Sequence, residues 1–219
     1  MPRVFVFDAY GTLFDVHAAI GRHKAEAGPE AERFSEIWRA KQLEYTWTLT
    51  LAGRYADFWT LTGRALDVAF ARVPQVDRAL KPRLLEAYFK LDAFVDAHPA
   101  LRELKSRGHA TAILSNGSPQ MLAAAVQSAD MGSVLDAVLS VDAIRMYKPR
   151  REVYALATAQ FKVAPGEIVF ASSNRWDVMG AAACGFRTAW INRSGAPQEY
   201  EPPPDKVLAD LRSLAATEF

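Results

Sequence analysis

PRVFVFDAYGTLFDV, residues 2–16, is the stretch around which the chain is organised. Val4, Phe5, Val6 and Phe7 form a short unbroken apolar run, as in a strand buried on both faces. The run stops at Asp8. A carboxylate beside a buried strand is costly unless something compensates its charge. Gly11 follows three residues later and permits a tight turn. The stretch thus sets an acid at the carboxyl edge of a central strand, where open α/β sheets bind ligands. An Asp at a strand end also commonly serves as a turn residue or helix cap, so the rest of the chain must separate the two roles.

Working outward, the pattern changes after Asp15. From Val16 to Phe94 helical periodicity prevails, with helices expected over 18–27, 30–51, 55–71 and 75–91. Gly28-Pro29, Gly53 and Val73-Pro74 punctuate them. Phe34, Ile37, Trp38, Lys41 and Tyr45 recur at helical spacing. Aromatics so placed usually form a bundle core; the alternative is that a few line a pocket facing the sheet.

Strand–helix alternation then resumes. Strands are expected over 110–114, 136–141, 168–171 and 188–191, and helices over 99–107, 119–128, 149–161, 176–184 and 205–214. Short apolar strands alternating with helices predict a parallel sheet covered on both faces, and right-handed crossovers favour a doubly wound order. Ser115-Asn116-Gly117 and Ser172-Ser173-Asn174 follow strands, and Lys148 lies beyond another. All would meet Asp8 at one sheet edge. The helical insert leaves after Asp8 and returns before the second strand, so it hangs over that edge as a lid. This convergence raises Asp8 from turn residue to active-site acid.

Composition sets the outer bounds. The 219 residues are 50% hydrophobic and 23% charged, ordinary for a globular chain with one core and a smaller appended unit. A formal net charge of +1 gives no electrostatic footprint for nucleic acid or an anionic membrane. Cys184 is the single cysteine, so no intrachain disulfide forms. No apolar run reaches membrane-spanning length. The chain enters a strand without a signal-peptide layout, which points to the cytoplasm.

The convergent groups have several possible chemistries. Asp8 can serve as metal ligand, base or nucleophile. Asp8 and Asp177 are the obvious acids, and Lys148 can keep Asp8 ionised without a metal. Ser115, Asn116 and the amides of Ala9 and Tyr10 can form an anion cradle. Turn chemistry explains SNGSP equally well, Asn174 and Asp177 can simply cap a helix, and a lysine is usually solvated.

Four segments resemble the motifs of the haloacid dehalogenase superfamily: FDAYGTLFDV, SNGSPQML, Tyr147-Lys148-Pro149 and SSNRWDVMGAAACGF. The likeness spans the whole chain and is narrower to the L-2-haloacid dehalogenases. It implies a Rossmann-like doubly wound parallel sheet core over 1–15 and 95–219, with an inserted four-helix cap over 16–94. Tyr10 stands where phosphatases of the superfamily carry a second Asp, and Ser173 where they carry an acidic metal ligand. WRAKQLEYTW, residues 38–47, resembles the dehalogenase cap and carries Arg39.

The resemblance implies the following chemistry. Asp8 attacks C2 of a 2-haloalkanoate, forming an aspartyl ester that water then cleaves, with inversion and with neither metal nor cofactor. Ser115, Asn116 and the Ala9 and Tyr10 amides hold the substrate carboxylate. Arg39 and Asn116, with Trp176 beside them, receive the halide. Lys148 pairs with Asp8 and Asp177, while Ser172, Asn174 and Asp177 position Lys148 and the water. Thr12 and Tyr154 support the site, and either Asp177 or Lys148 activates the water. Tyr10, Leu43, Phe58 and Trp176 form the apolar wall. Ala40 stands where similar dehalogenases often have a larger polar residue. A homodimer through the cap helices is implied, with Phe34 and Trp59 as anchors. The rival expectations are a Mg²⁺-dependent phosphatase of the same fold, a specialist for fluorinated or other haloacids, and a non-catalytic binding protein.

Overall fold

The computed structural model describes residues 3–219; Met1 and Pro2, which open the quoted stretch, lie outside them. Strand β1 (Val4–Phe7) is buried at all four positions. It pairs in parallel with β2 (Ala110–Ser115) on one side and β4 (Ile168–Ser172) on the other, with Phe7 opposite Ile113 and Ala171. With β3 (Ala137–Ser140), β5 (Arg187–Ile191) and β6 (Lys206–Leu208), the sheet runs β3-β2-β1-β4-β5-β6 and is parallel throughout. The strand order reverses direction between β1 and β4. A doubly wound sheet has its crevice at that switch point, and Asp8 stands at its lip.

Helices α1 (Ala18–Gly21), α2 (Lys24–Ala27), α3 (Ala31–Leu51), α4 (Phe58–Arg72) and α5 (Lys81–Phe89) lie between β1 and α6 (Ala97–Ser106). The departing and returning chains are stitched together: Asp15 N donates to Asp92 O at 2.8 Å, and Phe94 N to Leu13 O at 2.9 Å. Beyond that neck, α3 and α4 pack through Phe34, Trp38, Leu61, Leu66 and Phe70, with Phe34 edge-on to Phe70 at 4.9 Å. A buried polar seam fixes their register. Gln42 Nε2 donates to Thr62 Oγ1 at 2.9 Å, Trp38 Nε1 to Thr62 O at 2.9 Å, and Tyr88 Oη to Gln42 Oε1 at 3.2 Å. Each of these polar atoms would be costly to bury alone. Helices α7 (Pro119–Ser128), α8 (Arg151–Phe161) and α9 (Arg175–Ala182) complete the layers on the sheet.

Several expectations change. The helix expected over 205–214 is instead strand β6, followed by a short 3₁₀ turn, Leu214–Ala216. The Asp205 carboxylate accepts from Thr188 N at 2.8 Å and Thr188 Oγ1 at 3.0 Å, which lays Val207 and Leu208 beside β5. The first cap helix breaks at Arg22–His23 into α1 and α2. The third starts at Phe58, because Asp57 caps it by accepting from Thr60 N at 3.0 Å. The last begins only at Lys81, after a 3₁₀ turn that Asp77 caps at Ala79 N. Phe34 is fully buried within its own protomer and cannot anchor a partner. Trp59 is half-buried and packs edge-on against Phe89 at 4.2 Å. Among the described residues, no helix is long and apolar enough to cross a membrane.

Candidate active site

Asp8 leaves β1 only 6% exposed, and its two oxygens have different surroundings. Oδ2 accepts from Asn174 Nδ2 at 2.8 Å, Thr12 Oγ1 at 3.3 Å and Ser172 Oγ at 3.4 Å. Oδ1 accepts from Lys148 Nζ alone, at 3.1 Å. Local structure explains these donors. Residues 9–14 form a tight turn in which Ala9 O takes the amides of Thr12, Leu13 and Phe14, so Thr12 faces back onto Asp8. Gly11 occupies the left-handed region at φ 92°, which a glycine tolerates without strain. Thr12 Oγ1 also accepts from Ser173 N at 2.8 Å, tying the β1 turn to the β4 turn. Asn174 is the N-cap residue of α9, but its side chain makes no capping bond and turns to Asp8 instead.

Lys148 is wholly buried. Its ammonium lies 2.7 Å from Asp177 Oδ2, 3.1 Å from Asp8 Oδ1 and 5.0 Å from the centre of the Phe170 ring. Tyr154 Oη donates to the other Asp177 oxygen at 2.7 Å. Burial opposes the charge on Lys148, but Asp177 and Asp8 outweigh it and hold the lysine above its ordinary pKa. Burial pushes the Asp177 carboxyl up to about 6, against the pull of Lys148 and with help from Asp8. The cation therefore stays charged, and Asp177 is an unusually basic carboxylate. Ser172 and Asn174 bond to Asp8 and not to Lys148; of the three residues expected to position the lysine, only Asp177 touches it.

On the other side of Asp8, Ser115 Oγ accepts from Gly117 N at 3.0 Å, and Asn116 Oδ1 accepts from Lys148 N at 3.1 Å. Turn chemistry and site chemistry coexist there. The amides of Ala9 and Tyr10 donate to no other group among the described residues, so the anion cradle keeps its donors. Arg39 reaches down from α3 to donate to Tyr10 O at 3.3 Å. The Tyr10 ring lies between Phe58 at 5.9 Å and Tyr88 at 5.8 Å, both near-parallel to it. These rings roof the nucleophile.

Arg39 and Leu43 line one cavity, of 440 Å³, while Trp176 lines another, of 360 Å³, with Lys148 and Trp47. The expected wall is thus divided: Trp176 packs edge-on to Trp47 at 5.4 Å, in a different cavity from Arg39. No cluster of three or more His, Cys, Asp or Glu side chains suited to a metal ion occurs among the described residues.

Sequence reasoning gave no role to Tyr88 or Gln42, nor to Tyr147 and Gly180 within their motifs. Tyr147 Oη donates to Ala56 O at 2.6 Å, tying the Lys148 loop to the cap. Tyr88 and Gln42 sit at helical core spacing, which says nothing of the ring they support. Gly180 falls four residues before Cys184 in a helix, where a glycine costs stability; that oddity was the available signal.

Residues 2–185 match the family model for haloacid dehalogenase-like hydrolases. The chain is 49% identical to (S)-2-haloacid dehalogenase 1 of Pseudomonas sp. (strain CBS-3), over 97% of this chain and 94% of that protein. It is also 49% identical to (S)-2-haloacid dehalogenase 4A of Burkholderia cepacia, over 98% and 95% respectively. The L-2-haloacid dehalogenase of Xanthobacter autotrophicus, solved with chloropropionic acid covalently bound, aligns with a TM-score of 0.88. Its identity is 37%, covering 99% of this chain and 98% of that one.

Proposed function

The chain belongs to the haloacid dehalogenase-like hydrolase family, and from that premise we propose that it hydrolyses (S)-2-haloacids to (R)-2-hydroxyacids through an ester on Asp8. The asymmetry of Asp8 carries the reading. Oδ2 is committed to three donors, whereas Oδ1 has only Lys148 and keeps a lone pair for attack. Oδ1 forms a bond to C2 as the carbon–halogen bond breaks. The bonding pair leaves with the halide, which Arg39 and Asn116 receive. In-line displacement inverts C2. The closed aromatic roof excludes water, and a desolvated, fixed carboxylate is a better nucleophile than a hydrated one.

The same asymmetry serves the second step. Once Oδ1 is esterified, Oδ2 is the ester carbonyl oxygen. Water adds to Cγ, and the charge that develops on Oδ2 meets Thr12, Ser172 and Asn174 as an oxyanion hole. Lys148 keeps its proton and so has no lone pair to offer; Asp177 takes the proton from water. Cleavage of the Cγ–Oδ1 bond releases the hydroxyacid. Lys148 stabilises the departing oxygen, and Asp177 returns the proton to it. No metal enters this scheme: Ser173 stands where the phosphatases carry an acidic metal ligand, and the Tyr10 carbonyl already accepts from Arg39 and Asn174, each at 3.3 Å.

A single turnover in ¹⁸O water tests the route. Solvent oxygen enters Asp8 first and leaves the first product unlabelled; label in the first product would sink the ester. Halide release unchanged by a chelator excludes the Mg²⁺-dependent phosphatase reading. The proposal further has 16–94 acting as a lid on the core, a cytoplasmic location, and a homodimer through the cap helices. Trp59 is then the aromatic anchor of that dimer, and light scattering measures the mass.

A further inference from the structure

Asp8 is nearly sealed, so substrate and halide need a path to it. Two cavities are each lined by a residue bonded to it, Asn174 in one and Lys148 in the other, and they differ in what they offer an anion. We propose that the 440 Å³ cleft beneath residues 192–196 is the portal through which the haloacid anion arrives and the halide leaves, with Arg39 and Ser173 as its polar lining; this rests on the dehalogenase reading above.

The floor of this cleft is formed by Gly11, Asn174, Ser173 and Arg39. Asn174 Nδ2 is itself 2.8 Å from the nucleophile, so the floor is one side chain away from the chemistry. Arg39 forms no ion pair with a carboxylate among the described residues, so its charge is available. Ser173 Oγ is buried without a hydrogen-bond partner, and Trp190 Nε1, at 3.2 Å from Ser173 O, holds that residue in place. A guanidinium bonded only to the neutral Tyr10 carbonyl suits a passing carboxylate or halide.

Of the other charges at this cleft, Arg193 is paired with Asp96 at 3.0 Å, whereas Asp15 accepts only from the His17 backbone amide at 2.9 Å and keeps its negative charge, which leaves Arg39 as the attraction for an anion. The rim is braced from within: Asn192 Nδ2 donates to Ala196 O at 2.9 Å, and Ala196 N to Asn192 Oδ1 at 2.8 Å. The 360 Å³ cavity is walled by Trp47, Tyr147 and Trp176. Its Lys148 is fully buried between two carboxylates, and its Arg150 is paired with Glu152 at 2.6 Å. It offers an anion no free cation.

Reversible plugging tests the assignment. Cys184→Ser clears the background thiol; Ala196→Cys then marks the rim of the proposed portal, and Leu51→Cys, in a second chain, marks the other cavity. Each is capped with a bulky aromatic disulfide and released with reductant. Capping at 196 is expected to lower kcat/KM for 2-chloropropionate by about tenfold or more, restored by reductant, while capping at 51 changes it by less than about twofold. Full activity with 196 capped, a selective loss at 51, or an equal loss at both overturns the portal. Absence of halide release from the uncapped chain sinks the dehalogenase reading itself, and the portal with it.

Discussion

Gly180 makes room for Tyr154. A side chain at 180 would overlap Tyr154 Oη and come within 2.7 Å of Pro149 Cβ. The bare backbone of α9 therefore lets the phenol reach Asp177, and it packs against the residue that follows Lys148. One glycine sets the spacing of the whole Tyr154–Asp177–Lys148 line.

Gly180→Ala is expected to displace Tyr154 and cost about 1–3 kcal/mol of stability, as overpacking of a tight core does. Turnover falls while KM stays near the parent value, because the substrate cradle lies elsewhere. Denaturant midpoints and steady-state halide release check both. An unaltered midpoint with full turnover would show that the helix yields freely.

Asn174→Ala removes the shortest donor to Asp8 Oδ2. The loss of one oxyanion-hole donor typically slows the step it serves by about 10²–10³. Hydrolysis of the ester should then lag behind its formation. Intact-protein mass spectrometry during a single turnover should find the substrate acyl group accumulating on the chain. If alkylation slows as much as hydrolysis, the ester stays undetected and Asn174 acts mainly on the free carboxylate.

Asp177 must be ionised to accept a proton, and its carboxyl is held at about 6. Activity should therefore rise with pH along a limb centred at or somewhat below 6, because burial still raises Asp177 while esterification removes the Asp8 charge that helps it. Lys148 lies above its ordinary value and stays charged, so no loss from its deprotonation is expected through neutral and mildly alkaline pH. A pH profile of kcat for 2-chloropropionate shows the limb. A midpoint near the ordinary 3.8 of an aspartate would remove Asp177 as the base.

Lys148→Met leaves two carboxylates buried without their cation. Breaking such a pair from one side costs about 3–5 kcal/mol. The sign with pH follows from linkage. A carboxyl whose folded pKa lies above its unfolded value destabilises when it ionises, so stability falls as pH climbs from the unfolded value toward the folded one. The Lys148→Met deficit should thus be large at neutral pH and shrink on acidification, as Asp177 takes up a proton. Urea melts at two pH values measure it; a pH-independent deficit would point to lost packing instead.

Much of this was legible in one dimension. The Val4–Phe7 run, its acid and the glycine turn placed Asp8, and alternating apolar strands and helices placed Ser115, Lys148 and Ser172 at the same edge. Local chemistry is enough for that, because strand burial and turns are written in adjacent residues. The carboxyl-terminal segment was misjudged for a complementary reason: only the pairing of Asp205 with Thr188 makes 206–208 extended, and that partner is remote in sequence. Phe34 likewise carries no mark distinguishing a cap core from a protomer surface.

The sequence by itself determined an α/β chain with a helical insert, an acid on the central strand, and Tyr10 and Ser173 where a metal-binding branch would have acids. Tertiary structure alone decided which oxygen of Asp8 is held by three donors and which by Lys148 alone, that Ser172 and Asn174 serve Asp8 and not Lys148, and that Trp176 and Arg39 face different cavities. Those relations depend on distances between turns far apart in the chain. Burial and charge then act on the assembled groups together, which is why Asp177 becomes basic while Lys148 stays charged.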